Sequence, residues 1–193
     1  INSDHKIDNN DLTSYVNYTG LRKGDADFEG YISKGDINKN DLIDAYDISV
    51  VTTQLDGGVQ TNDSAAKVSG SLQISAAKQN YKKGETIEVM VKGIDLINVN
   101  ALSFALPYNQ LEYEYVGVES LNTGNMENFT NDRLHTDGNK GLYPTFVNVG
   151  NKPARNGSEN LFIIKLKAKQ NLTFNVKPGD GILVDKNLEY INF

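Results

Sequence analysis

The sequence predicts an α+β chain in two parts: a small α-helical module over residues 1–57 and an antiparallel β-sandwich over 68–193. Three observations lead there. A polar run with oxygen-bearing residues at fixed intervals occurs twice before residue 57, each time followed by helical spacing. The stretch 58–67 is rich in Gly, Asn and Ser, as a linker is. Beyond Val68, apolar residues alternate with polar ones at a period of two. At 193 residues the chain has room for one or two domains.

The clearest polar run is GDINKNDLIDAYD, from Gly35 to Asp47. With Asp36 as position 1, oxygen-bearing side chains fall at positions 3 (Asn38), 5 (Asn40), 9 (Asp44) and 12 (Asp47), and apolar Ile43 stands at position 8. This is the ligand spacing of a twelve-residue calcium loop, to which the carbonyl of Leu42 at position 7 adds another oxygen. Calcium takes six to eight oxygens at roughly 2.3–2.6 Å, and a tight loop aims that many at one point. Ile43 is expected to turn away from the ion into a core. Position 6 needs a positive φ, and Asp41 is of a type that tolerates it.

The chain opens with a second copy. INSDHKIDNND aligns with INKNDLIDAYD, which places Asn2, Asp4, His5, Lys6, Ile7, Asp8 and Asp11 at positions 3, 5, 6, 7, 8, 9 and 12. Candidate ligands of the first loop are therefore Asn2, Asp4, the carbonyl of Lys6, Asp8 and Asp11. Position 1 would precede Ile1, so the expectation is either a piece of a longer protein or an incomplete first site. A competing register sets Asp25, Asp27, Glu29, Gly30, Ser33 and Asp36 at positions 1, 3, 5, 6, 9 and 12. Asp36 cannot serve both loops and no amphipathic helix follows the earlier one, so the later register is expected.

After the loops, Leu12, Tyr15 and Val16, then Ile48, Val51, Thr52 and Leu55, take the intervals of one helix face. Asp11 and Asp47 suit the helix starts; Gly20 and Gly57-Gly58 suit the ends. No helix is expected to enter either loop, so each unit is half an EF-hand. Such a pair of loop-helix units (an F-hand pair) with Asp at position 12 resembles a type I-like dockerin. The resemblance implies two bound Ca²⁺ ions and docking on a cohesin domain of another protein. The pairs Asn9-Asn10 and Ala45-Tyr46 would then read the partner; they differ from each other, so symmetric docking is not implied.

In the second part, Ile87, Val89 and Val91 alternate with polar residues, as do Leu102, Phe104 and Leu106, then Leu111, Tyr113 and Tyr115. Phe162, Ile164, Leu166 and Ala168 alternate against Lys165, Lys167 and Lys169. Short alternating strands of this kind form an antiparallel sandwich. The order from Tyr81 to Val116, with its turn at Tyr108-Asn109, and the late strand from Leu161 to Lys169 resemble a jelly-roll, cohesin-like domain. Pro107 falls where that family keeps strand, and carbohydrate-binding modules share the topology.

Together the two resemblances imply a noncatalytic, calcium-dependent assembly region of a large bacterial carbohydrate-active enzyme, a glycoside hydrolase, whose catalytic domain would precede Ile1. The implied location is extracellular, at the cell surface or in the periplasm. The implied partner is a cohesin or dockerin domain of another protein. Two further readings stay open. The modules pack on each other within the chain, or the sandwich binds a glycan with the first module as a calcium-stabilised spacer.

Composition excludes several classes. A net charge of -6 opposes nucleic-acid binding, and no cysteine is present for disulfides or thiolate sites. No signal peptide or membrane-inserting stretch is found. Asp63-Ser64-Ala65 resembles a short O-glycosylation acceptor of some gut bacteria, and Asn128-Phe129-Thr130 is one of several chance matches to the N-glycosylation pattern. No catalytic fingerprint appears. His5 has a loop role, His135 reads as a solvated loop histidine, and Glu112 and Glu114 read as the exposed face of a strand. Tyr113, Tyr115 and Tyr143 are the candidates for sugar stacking, with core packing as the plainer expectation.

Overall fold

The structure, a computed structural model, describes residues 6–56 and 67–193. Helices α1 (Asn9–Tyr18), α2 (Gly30–Ser33) and α3 (Ala45–Leu55) come first. The strands follow: β1 (Ser69–Ala76), β2 (Asn80–Tyr81), β3 (Thr86–Val99), β4 (Ala101–Phe104), β5 (Leu106–Pro107), β6 (Tyr113–Ser120) and β7 (Met126–Asn128). They continue with β8 (Asn131–Leu134), β9 (Lys140–Tyr143), β10 (Thr145–Asn148), β11 (Arg155–Ala168), β12 (Leu172–Thr173), β13 (Gly181–Val184) and β14 (Tyr190–Asn192). The linker expected at 58–67, and with it Gly57-Gly58 and Asp63-Ser64-Ala65, lies outside the described residues except for Lys67.

The repeat is visible in the helix starts. Asp8 caps α1 by accepting from Asn10 N–H, while Asp11 reaches back to Asp8 N–H. Asp44 and Asp47 do the same for α3. Asp11 and Asp47 lie in the first turns, as expected, but each helix begins two residues before them, because a carboxylate at the third helical position closes a capping box with the N-cap residue. Gly20 (φ +82°) follows the end of α1, as expected.

Other expectations are corrected. The single turn α2 does precede the second loop. Val16 is 43% exposed, because α1 meets α3 along a narrow stripe carried by Tyr15. Ile43 is fully buried as expected, but its counterpart Ile7 is 55% exposed. Backbone pairing explains part of the difference: Ile43 exchanges hydrogen bonds with Gly20 N–H and the Leu21 carbonyl, so the second loop is laced to the segment after α1.

The sandwich stacks a four-stranded sheet, β1-β3-β11-β6, on a five-stranded one, β14-β13-β4-β10-β7. Their pairing is antiparallel. Ile87, Val89, Val91, Phe162, Ile164 and Leu166 face inward from the first sheet against Leu102, Phe104, Phe146 and Leu183 of the second. Phe146 stacks obliquely on Phe162 at 4.5 Å between ring centres. Leu111 departs from the expected strand; it lies in the turn before β6 and is 74% exposed. Pro107 sits on β5, the edge of a small sheet β5-β9-β8, where a residue without an N–H does no harm.

All four residues of β4 and of β10, and Ile182 to Val184 of β13, are buried, so these strands are covered on both faces. The inner face belongs to the sandwich core. The outer face is covered by α3.

The second loop and the seam between the modules

The Asp36 carboxylate accepts from the N–H groups of Asn40 (3.1 Å) and Asp41 (2.9 Å), and Asp41 takes φ +67° at position 6. Asp47 is fully buried and accepts from Ile37 N–H (2.7 Å) and Asp44 N–H (2.9 Å), tying position 12 to the loop's start. The Tyr15 hydroxyl donates to the Gly35 carbonyl, so α1 braces the entrance.

Burial pushes both Asp44 and Asp47 above the usual carboxylate range, and Asp36 adds to each by charge repulsion. Asn38 has a buried Nδ2 without a hydrogen-bond partner. Crowded buried carboxylates are a donor set that suits a hard divalent cation, to which the unpaired Asn38 Nδ2, a hydrogen-bond donor, adds nothing. Asp36, Asn38, Asn40, the Leu42 carbonyl, Asp44 and Asp47 would hold it. In this conformation no group of three or more acidic or histidine side chains is arranged to hold a metal, among the described residues; the Asn40 amide donates to Asp44 instead (2.9 Å).

The loop does not stand alone. Ile43, Ala45, Ile48 and Val51 share one apolar cluster with Ala101, Phe129, Val147, Ile182 and Val184 of the sandwich. Small Ala101 and Ser103 on the outer face of β4 let α3 come close. Ala45 N–H donates to Ser103 Oγ (3.1 Å), and Tyr46 meets Tyr190 edge-on.

A second patch is polar. From β8, Arg133 donates to the carbonyls of Thr19 and Asn17, and Asn131 to that of Val16. A helix end with no basic residue of its own thereby receives a cation from the sandwich. Just beyond, Asp25 accepts from Thr136 N–H and meets His135 Nδ1 at 2.8 Å, while His135 Nε2 lies 2.8 Å from the Tyr143 hydroxyl. Tyr143 also packs against Gly20, where a Cβ would lie 2.4 Å from the ring.

These positions decide several of the expectations. Of the residues expected to read a partner, Asn9 and Asn10 are exposed, whereas Ala45 and Tyr46 face the chain's own sandwich. Asn2, Asp4 and His5 lie outside the described residues; Lys6 is exposed and Asp8 and Asp11 form the α1 cap. Asp25, position 1 of the competing register, is turned to His135 and Thr136.

His135 is buried rather than solvated, because the first module covers it. Tyr113 and Tyr143 are buried and Tyr115 packs on the core, so none offers an exposed face to a sugar. Phe129 is buried in the seam, which leaves the segment Asn128-Phe129-Thr130 poorly placed for modification. Glu114 is exposed on β6, as expected, whereas Glu112 lies half-buried in the turn before it. The seam itself had a signal in the sequence: ALSF, TFVN and GILV have few polar alternates, as strands buried on both faces do.

No family model and no curated protein matches the chain. Solved structures do. A type II cohesin domain from the cellulosome of Acetivibrio cellulolyticus is 13% identical with a TM-score of 0.50, covering 64% of this chain and 88% of that one. A cohesin module from a Clostridium perfringens family 33 glycoside hydrolase is 12% identical with a TM-score of 0.49, covering 65% and 89%. A type I cohesin–dockerin complex from Clostridium thermocellum matches at 13% identity and a TM-score of 0.47, covering 68% of this chain and 91% of that one. The first of these shares the fold: the larger part of this chain is a cohesin-like antiparallel β-sandwich.

Proposed function

We propose that the chain is a noncatalytic attachment region of a carbohydrate-active bacterial assembly, extracellular or at the cell surface. In it a calcium-folded, dockerin-like module rests on the cohesin-like sandwich of the same chain. The observation that carries this reading is the apolar seam, in which Ala45 and Ile48 of α3 are fully buried against β4, β10 and β13. The fold of the sandwich supports attachment to other proteins as its role. The wound second loop and the crowded carboxylates support calcium as the ion that folds the first module, coupling ion binding to the face it presents.

Isothermal titration of Ca²⁺ into the chelator-stripped chain and into Asp36→Ala tests the reading. One or two sites, with the second-loop site weakened at least about tenfold in the variant, are expected, since position 1 supplies a charged ligand. Absence of binding by the unaltered chain would remove calcium, and the dockerin-like module with it, leaving the sandwich alone as the attachment surface.

A further inference from the structure

Asn148, on β10, is 2% exposed. Its Nδ2 donates to Asn100 Oδ1 (2.9 Å) and to the Pro153 carbonyl (3.1 Å), and because both partners are acceptors the amide cannot be turned round. Its Oδ1 is left buried with no hydrogen-bond partner. Buried acceptors are satisfied in all but a few cases, so this one calls for a donor from outside the protein.

Asn148 lines a cleft of 390 Å³ where the C-terminal end of α3, with Thr52 and Asp56, meets the sandwich. A neighbouring cleft of 450 Å³ shares Asn151, Lys152 and Lys186 with it and holds a second buried oxygen without a partner, Asn187 Oδ1. The two make one groove running beside the seam.

The groove's chemistry narrows its occupant. Two lysines at the junction disfavour a cation, and lone amide oxygens together with Asp56 and Asp185 disfavour an anion. No aromatic side chain lines either cleft, so ring stacking contributes nothing. What remains is a neutral molecule that donates hydrogen bonds to the buried amide oxygens. We propose that this groove is a carbohydrate site, with a sugar hydroxyl donating to Asn148 Oδ1. The inference is independent of the calcium loops and of what the sandwich attaches to.

The test is a titration of the full, calcium-loaded chain with methyl glycosides of glucose, galactose, mannose and N-acetylglucosamine, each to about 50 mM, beyond the millimolar range of weak ligands. The side-chain amide resonances of Asn148 and Asn100 are read by NMR. At least one glycoside is expected to shift them saturably, with the shift of the remaining Asn100 amide lost in Asn148→Leu. Asn151 is exposed, so Asn151→Ala keeps the fold and is expected to weaken binding about five-fold, the effect of one hydrogen bond. No saturable shift from any of the four would overturn the proposal. So would an equal response in Asn151→Ala and Asn148→Leu, or a response to calcium chloride or phosphate in place of the sugars.

Discussion

Asp25 shows how one side chain holds two modules. Burial by itself would raise its carboxyl, but hydrogen bonds from the His135 ring and from the backbone N–H groups of Arg22 and Thr136 outweigh burial and hold it below the usual carboxylate value. A carboxyl depressed in the folded state stabilises the protein at every pH above its ordinary value. That contribution is lost as pH falls through the folded value. Asp25→Asn is therefore expected to lower the melting temperature at neutral pH, with the gap to the unaltered chain narrowing below about pH 4. A gap that stays constant down to about pH 2 would mean that the Asp25 charge contributes nothing.

Gly20 makes a second, steric link. Any Cβ there would enter the Tyr143 ring, and φ +82° disfavours a side chain as well. Gly20→Ala is expected to cost at least about 2 kcal/mol in denaturant unfolding, as overpacking and backbone strain add. His135 was legible only as a polar-loop residue, because its partner Asp25 lies 110 positions away in the chain.

Helix α1 depends on β8 as much as on its own sequence. Its start is secured locally by the Asp8–Asp11 capping box, while its end takes hydrogen bonds from Arg133 and Asn131 across the seam. Arg133→Ala is expected to destabilise the chain by roughly 1.5–3 kcal/mol, the range for a hydrogen bond from a charged group. Hydrogen exchange should then quicken at the C-terminal turn of α1 and leave the α1 N-terminus and β3 unchanged. Uniform quickening would show that Arg133 acts through the global fold instead.

Helix α3 is held differently, by burial on both its α1 side and its sandwich side. Ala45→Arg places an unpaired charge where the residue is fully buried, at a cost of several kcal/mol. The expected result is release of α3 from the sheet, seen as loss of protection along β4 and β10, while β3 and β11 stay protected. The helix spacing and the acidic first turns of these elements were legible in the sequence, since they are set within a few residues, while the capping boxes came from the structure. The exposure of Val16 and Ile7 was not, since it depends on which neighbours arrive from elsewhere in the chain.

Across the molecule, the seam makes two modules share a core. Tyr15, Leu21 and Ile48 from one side and Phe129, Val147 and Ile182 from the other belong to one cluster, so the described residues should unfold in a single transition. Calcium at one hundred times its dissociation constant is expected to add about 2.7 kcal/mol to that transition. If instead calorimetry resolves two transitions and only the lower one responds to calcium, the seam contributes little and the modules are independent.

The sequence alone determined the second loop's turn, the repeated acidic helix starts and the alternating strands. Those features are set by side chains a few positions apart, at intervals that the backbone's own periods dictate. What the buried face of α3 would pack against, what covers the outer side of β4, β10 and β13, and why His135 is enclosed were decided only by tertiary structure. Each of these rests on contacts between residues dozens of positions apart, where small side chains on a sheet and the shape of a helix must fit, and no local period records that fit.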